Sequence, residues 1–367
     1  MSYVLHWLAV QPTHYNDFLF RSLAADPEID LTVHVRKQGI ASHPWKTKMG
    51  QGFKSRNCRR VLGLDWHLLS LGLRAKNSFF VIAGWNEPEA ISLISLLSAR
   101  GRPFAVWTDT PWINRPRSSF KAVVRSAWLK WILGLGQNFM STGKPGLAAL
   151  SQMGCPPEKL INFPFAVDLG LFSPATHSPS REGGIITFLS SGQLIKKKGH
   201  DLALSALAQA RDRLNLQPDR FRYRLAGTGP DQDNLVALAQ RLGLKDQVEF
   251  VGWLEPAQLP DFYRSGQVLL HPSHRDPYPN AILEAMACGL TVIGSDTAGS
   301  AVDRIRPGEN GLIHRAGDVQ DLTDNLMLLF KDPEKIMTMG AKARATAAEW
   351  PVSRQVDIVK RMLGQCA

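Results

Sequence analysis

Two carboxylates, Asp276 and Glu284, stand with seven residues between them in the stretch His271–Asp296 (HPSHRDPYPNAILEAMACGLTVIGSD). The stretch reads as a strand end, a loop, a helix and a second strand. Pro279 and Asn280 open the helix, with Asn280 as its N-cap, so that the next amides stay free. Gly289 closes it as the left-handed residue that ends many helices. Leu290–Ser295 then supplies a short apolar run suited to a buried parallel strand. A helix N-terminus at the carboxyl end of a strand is where α/β proteins hold phosphate. Glu284 lies about one turn inside that helix, too far in to serve a phosphate but placed to accept hydrogen bonds from sugar hydroxyls. Diphosphate and polyhydroxylated group together suit a nucleotide-sugar.

The elements that must position this chemistry alternate between strand and helix throughout, which favours doubly wound parallel sheets. In the first half, Val4–Val10, Leu31–Val35, Phe79–Ala83, Phe104–Thr108 and Phe139–Thr142 read as strands. Asp17–Ala25, Pro88–Ala99 and Ser118–Leu133 read as helices between them. Residues 38–62, basic and rich in Gly and Ser without a clear period, read as a long loop. Ser173–Gly184 is a linker by composition. The expected division is residues 1–175, 176–349 and a terminal helix within 350–367.

In the second half, Ile185–Gly192 is an apolar strand, followed by Gln193-Leu-Ile-Lys-Lys-Lys198-Gly199 and an amphipathic helix. A lysine in such a strand-to-helix loop can reach a diphosphate as a point charge; an exposed basic loop is the plainer reading. Tyr223–Ala226 is a strand leading into a second turn, Gly227-Thr-Gly229-Pro230, and another helix, with Val248-Glu-Phe-Val-Gly252 farther along. His271 and His274 raise the question of a metal. They lie on a strand end and loop rather than one helix face, and no third ligand cluster accompanies them, so none is expected.

The ordered series of lysine loop, glycine turn and paired carboxylates closely resembles the signature of the retaining glycosyltransferases of group 1 (glycosyltransferase family 4). The resemblance covers most of residues 185–350 and is faint over residues 1–175. It implies an α/β fold of two Rossmann-like domains facing a cleft, the GT-B architecture, with a last helix crossing back to the N-terminal domain. It also implies that Lys198 binds the donor phosphates and that Asp276, where the family usually carries glutamate, lies near the transferred sugar. Glu284 takes the place of the carboxylate that binds the nucleotide ribose. Gln193 stands where many members have arginine, so part of the diphosphate clamp is uncharged here. Gly229 and Val251 fall near the base, and Gly192, Tyr278, Asn280, Ala281 and Ile282 complete the implied donor pocket. Asp109 stands near the family's usual histidine and joins Asp276 and Lys198 as the implied catalytic set. The implied donor is a UDP- or GDP-linked sugar acting as substrate, with neither cofactor nor metal.

In the first half, the polar segment Gln11–Asp17 follows the first strand, and Tyr15 and Asn16 are candidate acceptor contacts, Asn16 equally a helix cap. Asp109 is equally a plain turn residue. The charge is unevenly spread. Of 43 Lys and Arg and 32 Asp and Glu, residues 1–175 hold 20 and 10, residues 176–367 hold 23 and 22. The first half therefore has a net charge of +10 against +1, and its partner is expected to be anionic. In Ser118–Leu133, Lys121, Arg125, Trp128 and Trp131 suit either an anionic membrane surface or a helix packed on its own domain. The cysteines (Cys58, Cys155, Cys288, Cys366) show neither metal nor redox spacing, which points to a reducing cytosol, and no apolar run approaches the ~18 residues needed to span a bilayer, so any membrane contact is expected to be peripheral.

The expected activity is transfer of a sugar, with retention, to a saccharide or lipid-linked acceptor in surface polysaccharide or glycolipid assembly. Rival readings are a non-catalytic nucleotide-sugar or polyanion binder and a nucleotide-sugar epimerase. A phosphorylase-like relative lacks an evident lysine for pyridoxal. Nucleic-acid binding fits the charge but no recognition module appears.

Overall fold

The computed structural model describes residues 2–37, 51–74, 77–111, 119–174 and 184–364, the side chains of residues 119–124 excepted. Residues 38–50 of the expected loop, 175–183 of the expected linker, Ser118, Trp112, Cys366 and the Lys121 side chain lie outside what is described.

The chain divides into two compact units, residues 1–166 with 352–367, and residues 167–351. In the first unit the elements run β1 (Tyr3–Ala9), α1 (His14–Ala24), β2 (Ile29–Val35), β3 (Lys54–Asn57), α2 (Trp66–Arg74), β4 (Ser78–Ala83), α3 (Pro88–Ala99), β5 (Phe104–Thr108), α4 (Ser119–Leu135), β6 (Asn138–Ser141), α5 (Gly143–Gln152) and β7 (Leu160–Asn162). Seven parallel strands take the order β3-β2-β1-β4-β5-β6-β7. Strand β4, Ser-Phe-Phe-Val-Ile-Ala, is buried at every position, the mark of a parallel strand covered on both faces. The second unit continues with β8 (Ile186–Ser191), α6 (His200–Leu214), β9 (Phe221–Ala226), α7 (Gln232–Arg241), β10 (Val248–Gly252), α8 (Leu259–Arg264), β11 (Val268–His271), α9 (Asn280–Ala287), β12 (Thr291–Ser295), α10 (Gly299–Arg304), β13 (Gly311–His314), α11 (Val319–Lys331) and α12 (Glu334–Ala348). Its six strands are ordered β10-β9-β8-β11-β12-β13 and are also parallel. Both sheets are thus doubly wound and Rossmann-like, and the strand order of each reverses beside its first strand.

The last helix, α13 (Val352–Gly364), lies in the first unit, where Ile358, Val359, Met362 and Leu363 pack with Trp7, Phe20 and Phe163. Gln355 donates from Nε2 to the Pro164 carbonyl, and Lys360 pairs with Asp26 and Glu28.

Three local expectations need correction. Residues 38–62 are not a continuous loop, because β3 falls within them. Its sequence, Lys-Ser-Arg-Asn, is an exposed edge strand with no apolar alternation to betray it. Asn16 does not cap α1; Thr13 does, its Oγ1 accepting from the Asn16 amide at 3.2 Å. Asn280 does not cap α9 either. Pro279 holds that position, and Asn280 is the first helical residue.

Burial imposes a pH dependence on each unit. In the first, His34 Nε2 and His6 Nδ1 lie 3.2 Å apart, and burial, reinforced by mutual repulsion, pushes His34 down to about 3. In the second, burial, with the charges of His271 and Lys198, pushes His200 down to about 4. Both folded values lie below 6.5, so the unfolded chain takes up more protons as pH falls below 6.5. Stability is full above that pH and declines toward the folded values, each histidine contributing up to about 1.4 kcal/mol per pH unit. The melting temperature, measured from pH 7 to 5 at constant ionic strength, is expected to fall, and His34→Gln to flatten the slope. A curve already flat in the parent protein contradicts this account.

Candidate functional site

The carboxyl ends of β8 and β11, neighbours at the switch point of the second sheet, carry the candidate residues. After β8 the chain turns through Gly192, Gln193 and Leu194 into a short 3₁₀ turn, Lys196–Lys198. The turn after β9 locks against this loop. Leu194 N donates to Thr228 O, Asp231 N to Leu194 O and Gly192 N to Ala226 O. Gly227 N bonds back to Gly252 O at the end of β10, so the turns carrying Gly192 and Gly229 interlock with the strand end that carries Val251.

Lys198 and Asp276 meet directly. Lys198 Nζ lies 2.5 Å from Asp276 Oδ2, and His271 Nε2 lies 3.1 Å from the same oxygen. A carboxylate only accepts, so the proton of His271 sits on Nε2 and donates to Asp276. Burial resists the charge on Asp276, but the His271 bond and the Lys198 ammonium outweigh it and hold the carboxyl far below its usual range. Burial also depresses His271 below its ordinary value, a shift that Asp276 partly offsets by favouring the charged ring. The Asp276 backbone is pinned as well: its amide donates to Thr297 O and its carbonyl accepts from Gly299 N.

Glu284, on α9 and 1% exposed, is held from another direction. Tyr263 OH on α8 donates to Glu284 Oε2 at 2.7 Å and lies 2.6 Å from Ser191 Oγ at the end of β8. The Tyr263 ring packs against Phe172. Asn280 Oδ1 is buried without a hydrogen-bond partner, close to the open amides of Asn280, Ala281 and Ile282 that begin α9. Tyr278 turns its hydroxyl to α10, donating to Asp303 Oδ2 at 2.7 Å and accepting from Arg304 Nε at 3.2 Å. Arg304 in turn lies over the Trp350 ring. Lys196 and Lys197, but not Lys198, line a cavity of about 610 Å³ together with Asp201, Asn234, Arg241 and His274.

In the first unit, Tyr15 stacks on His14 and faces Phe165, while Asn16 is nearly buried in α1. Asp109 follows β5, where its Oδ1 accepts from Thr110 N at 2.7 Å and from Thr142 Oγ1 at 3.0 Å. That is the geometry of a turn aspartate, tying the ends of β5 and β6 together. Trp128 is half-buried among α3 and α4 side chains, whereas Trp131 is 46% exposed. Among the described residues no group of three or more His, Cys, Asp and Glu side chains could hold a metal ion, and no helix is long and apolar enough to cross a membrane.

Sequence reasoning misses the supporting shell. Tyr263 and Ser191 carry no motif, and the sequence raises His271 only as a metal ligand. The approach of a basic residue to Asp276 follows from the β8–β11 pairing, which no local spacing reveals.

Residues 177–346 match the family model described as Glycosyl transferases group 1. The chain is 29% identical over 220 residues to a D-inositol 3-phosphate glycosyltransferase of Gordonia bronchialis, covering 57% of this chain and 47% of that one. It is 30% identical over 146 residues to a component of the phosphatidylinositol N-acetylglucosaminyltransferase of Arabidopsis thaliana, covering 40% and 31%. The chain spans about half the length of the first curated relatives it matches. In fold it is similar to HepE of Anabaena, solved in complex with UDP, with a TM-score of 0.77 over 100% of both chains at 18% identity. The second unit is thus similar over residues 177–346 to the group 1 glycosyl transferases, and the chain shares the two-Rossmann fold of its solved neighbours.

Proposed function

We propose that this chain is a retaining glycosyltransferase that moves a sugar from a nucleotide-diphospho-sugar to a saccharide or lipid-linked acceptor, without a metal. The observation that carries it is the convergence of a lysine, two carboxylates and an open helix N-terminus at the switch point of the second sheet. Lys198 and the first amides of α9 neutralise the diphosphate as it departs, which is electrostatic catalysis aimed at developing charge. Glu284, oriented by Tyr263, accepts from the ribose hydroxyls, and the unpartnered Asn280 Oδ1 accepts from a ligand hydroxyl. Asp276 contacts the transferred sugar, and Asp109, Tyr15 and Asn16 serve the acceptor side. The UDP bound by HepE favours a uridine donor over a guanosine one. The inositol phosphate and phosphatidylinositol in the relatives' names, with the net +10 of residues 1–175, favour a phosphorylated acceptor met at the inner face of a membrane.

The test is a thermal-shift screen with UDP, GDP and their sugars in the absence of metal, followed by NMR of the product's anomeric configuration. A ligand at a hundredfold excess over its Kd adds about 2.7 kcal/mol of stability. One diphosphonucleoside is expected to raise the melting temperature, and Glu284→Ala to remove the shift. Binding of a nucleotide-sugar with no transfer or hydrolysis supports the non-catalytic binder instead, and no shift with any nucleotide refutes the donor site.

A further inference from the structure

Between β3 and α2 the first unit builds an apolar tip. Val61 N bonds to Leu64 O at 2.9 Å and Leu64 N to Val61 O at 3.2 Å, closing a two-residue turn over Leu62 and Gly63. Both central residues have positive φ, 54° for Leu62 and 80° for Gly63. Such turns favour Asn-Gly, because a branched apolar side chain is disfavoured in the left-handed region. Leucine here is 92% exposed, so burial within the unit does not offset the strain. Val61 is 59% exposed and Trp66, which opens α2, 57%.

The tip is held from below. Asp65, almost fully buried, accepts from Leu68 N at 2.9 Å, from Arg59 N at 2.8 Å and from Arg56 Nη2 at 2.9 Å. Leu68 then anchors α2 among Phe80, Leu93 and Leu97. Trp66 and Leu73, seven residues apart, fall on one outward stripe of the helix, and Leu73 is 42% exposed. Residues 51–74 hold five basic side chains and a single acidic one, the buried Asp65; Arg59 and Arg74 are exposed.

We propose that this tip seats the first unit on an anionic lipid bilayer, with Leu62 and Trp66 entering the boundary between headgroups and acyl chains and Arg59 and Arg74 meeting lipid phosphates. Four exposed apolar side chains, Val61, Leu62, Trp66 and Leu73, fall well short of the ~800 Å² per partner that a stable protein interface needs. A bilayer makes no such demand, since each inserted apolar group contributes separately. The tip deepens the membrane-side reading of the acceptor above, but its test uses no nucleotide and stands or falls apart from the donor site.

The experiment is co-flotation of the full chain with vesicles of phosphatidylcholine, alone or with about a third phosphatidylglycerol, at low and at physiological salt. The parent protein is expected to float with the anionic vesicles, less so as salt rises. Leu62→Asn, a residue suited to positive φ, is expected to lower the vesicle partition coefficient about tenfold while leaving the melting temperature unchanged or raised. Leu62→Gly and Trp66→Ala are expected to reduce partition similarly, and Trp131→Ala to leave it as it was. Full binding by Leu62→Asn, loss of binding only in Trp131→Ala, or no binding by the parent protein at low salt overturns the proposal. So does a vesicle-free dimer that Leu62→Asn converts to monomer, which gives the tip to a second copy of the chain.

Discussion

Lys198→Ala is expected to lower kcat/KM by a factor on the order of 10³, the loss that follows removal of a group aimed at charge developing in the transition state. It is also expected to destabilise the folded protein. Lys198 Nζ is 2.5 Å from Asp276 Oδ2, and their side chains are 17% and 13% exposed. Removing the ammonium leaves a largely buried carboxylate with His271 as its side-chain partner among the described residues, a situation that costs on the order of 3 kcal/mol. Asp276→Asn in the Lys198→Ala background removes that stranded charge. The pair is therefore expected to recover most of the melting temperature and none of the activity. Steady-state kinetics and thermal unfolding on the same preparations separate the two effects. Activity within tenfold of the parent in Lys198→Ala removes this lysine from the diphosphate site.

Gly227→Ala is expected to cost several kcal/mol and to abolish donor binding together with stability. Gly227 sits at φ 135°, which L side chains rarely adopt, and a Cβ there would overlap the Gly192 carbonyl. That carbonyl belongs to the loop that carries Lys198, and the turn is fastened to it through Leu194 and Thr228. Neither backbone can move without the other. Gly252→Ala is the control, because Gly252 also has positive φ, 79°, but open space where the methyl would stand. It carries only the conformational penalty of about 1 kcal/mol. Chemical denaturation of both variants, with a UDP titration where each is folded, gives the comparison; equal losses in the two would show that the close approach to Gly192 does not matter.

Much of the fold is legible because buried parallel strands write themselves as apolar runs. Phe104–Thr108 and Pro88–Ala99 have the same bounds in sequence and structure, and other shared elements differ by a few residues at their ends. Strand β3 escapes because an exposed edge strand needs no apolar residue, and its partner β2 alone defines it. The caps escape for a different reason. Thr13 and Asn16 are both good capping residues, and only the backbone angles choose between them. At the candidate site, spacing singles out Asp276, Glu284 and Lys198, but not what each of them touches. The Lys198–Asp276 contact joins positions 78 residues apart, and the Ser191–Tyr263–Glu284 chain joins three separate elements. Contacts of that kind are set by strand order, which no local pattern contains.

The excursion of the chain has a consequence for its biosynthesis. The first unit needs Ile358, Val359, Met362 and Leu363 to complete its core, yet these emerge only after all 185 residues from 167 to 351 have been made. At ~5–20 residues per second, that is a wait of roughly ten to forty seconds. The contiguous second unit has its whole sequence first and can finish folding while the N-terminal sheet still shows the bare surface over Trp7 and Phe20. The part synthesised first is therefore the last to close, and it is the nascent N-terminal unit that would call on a chaperone.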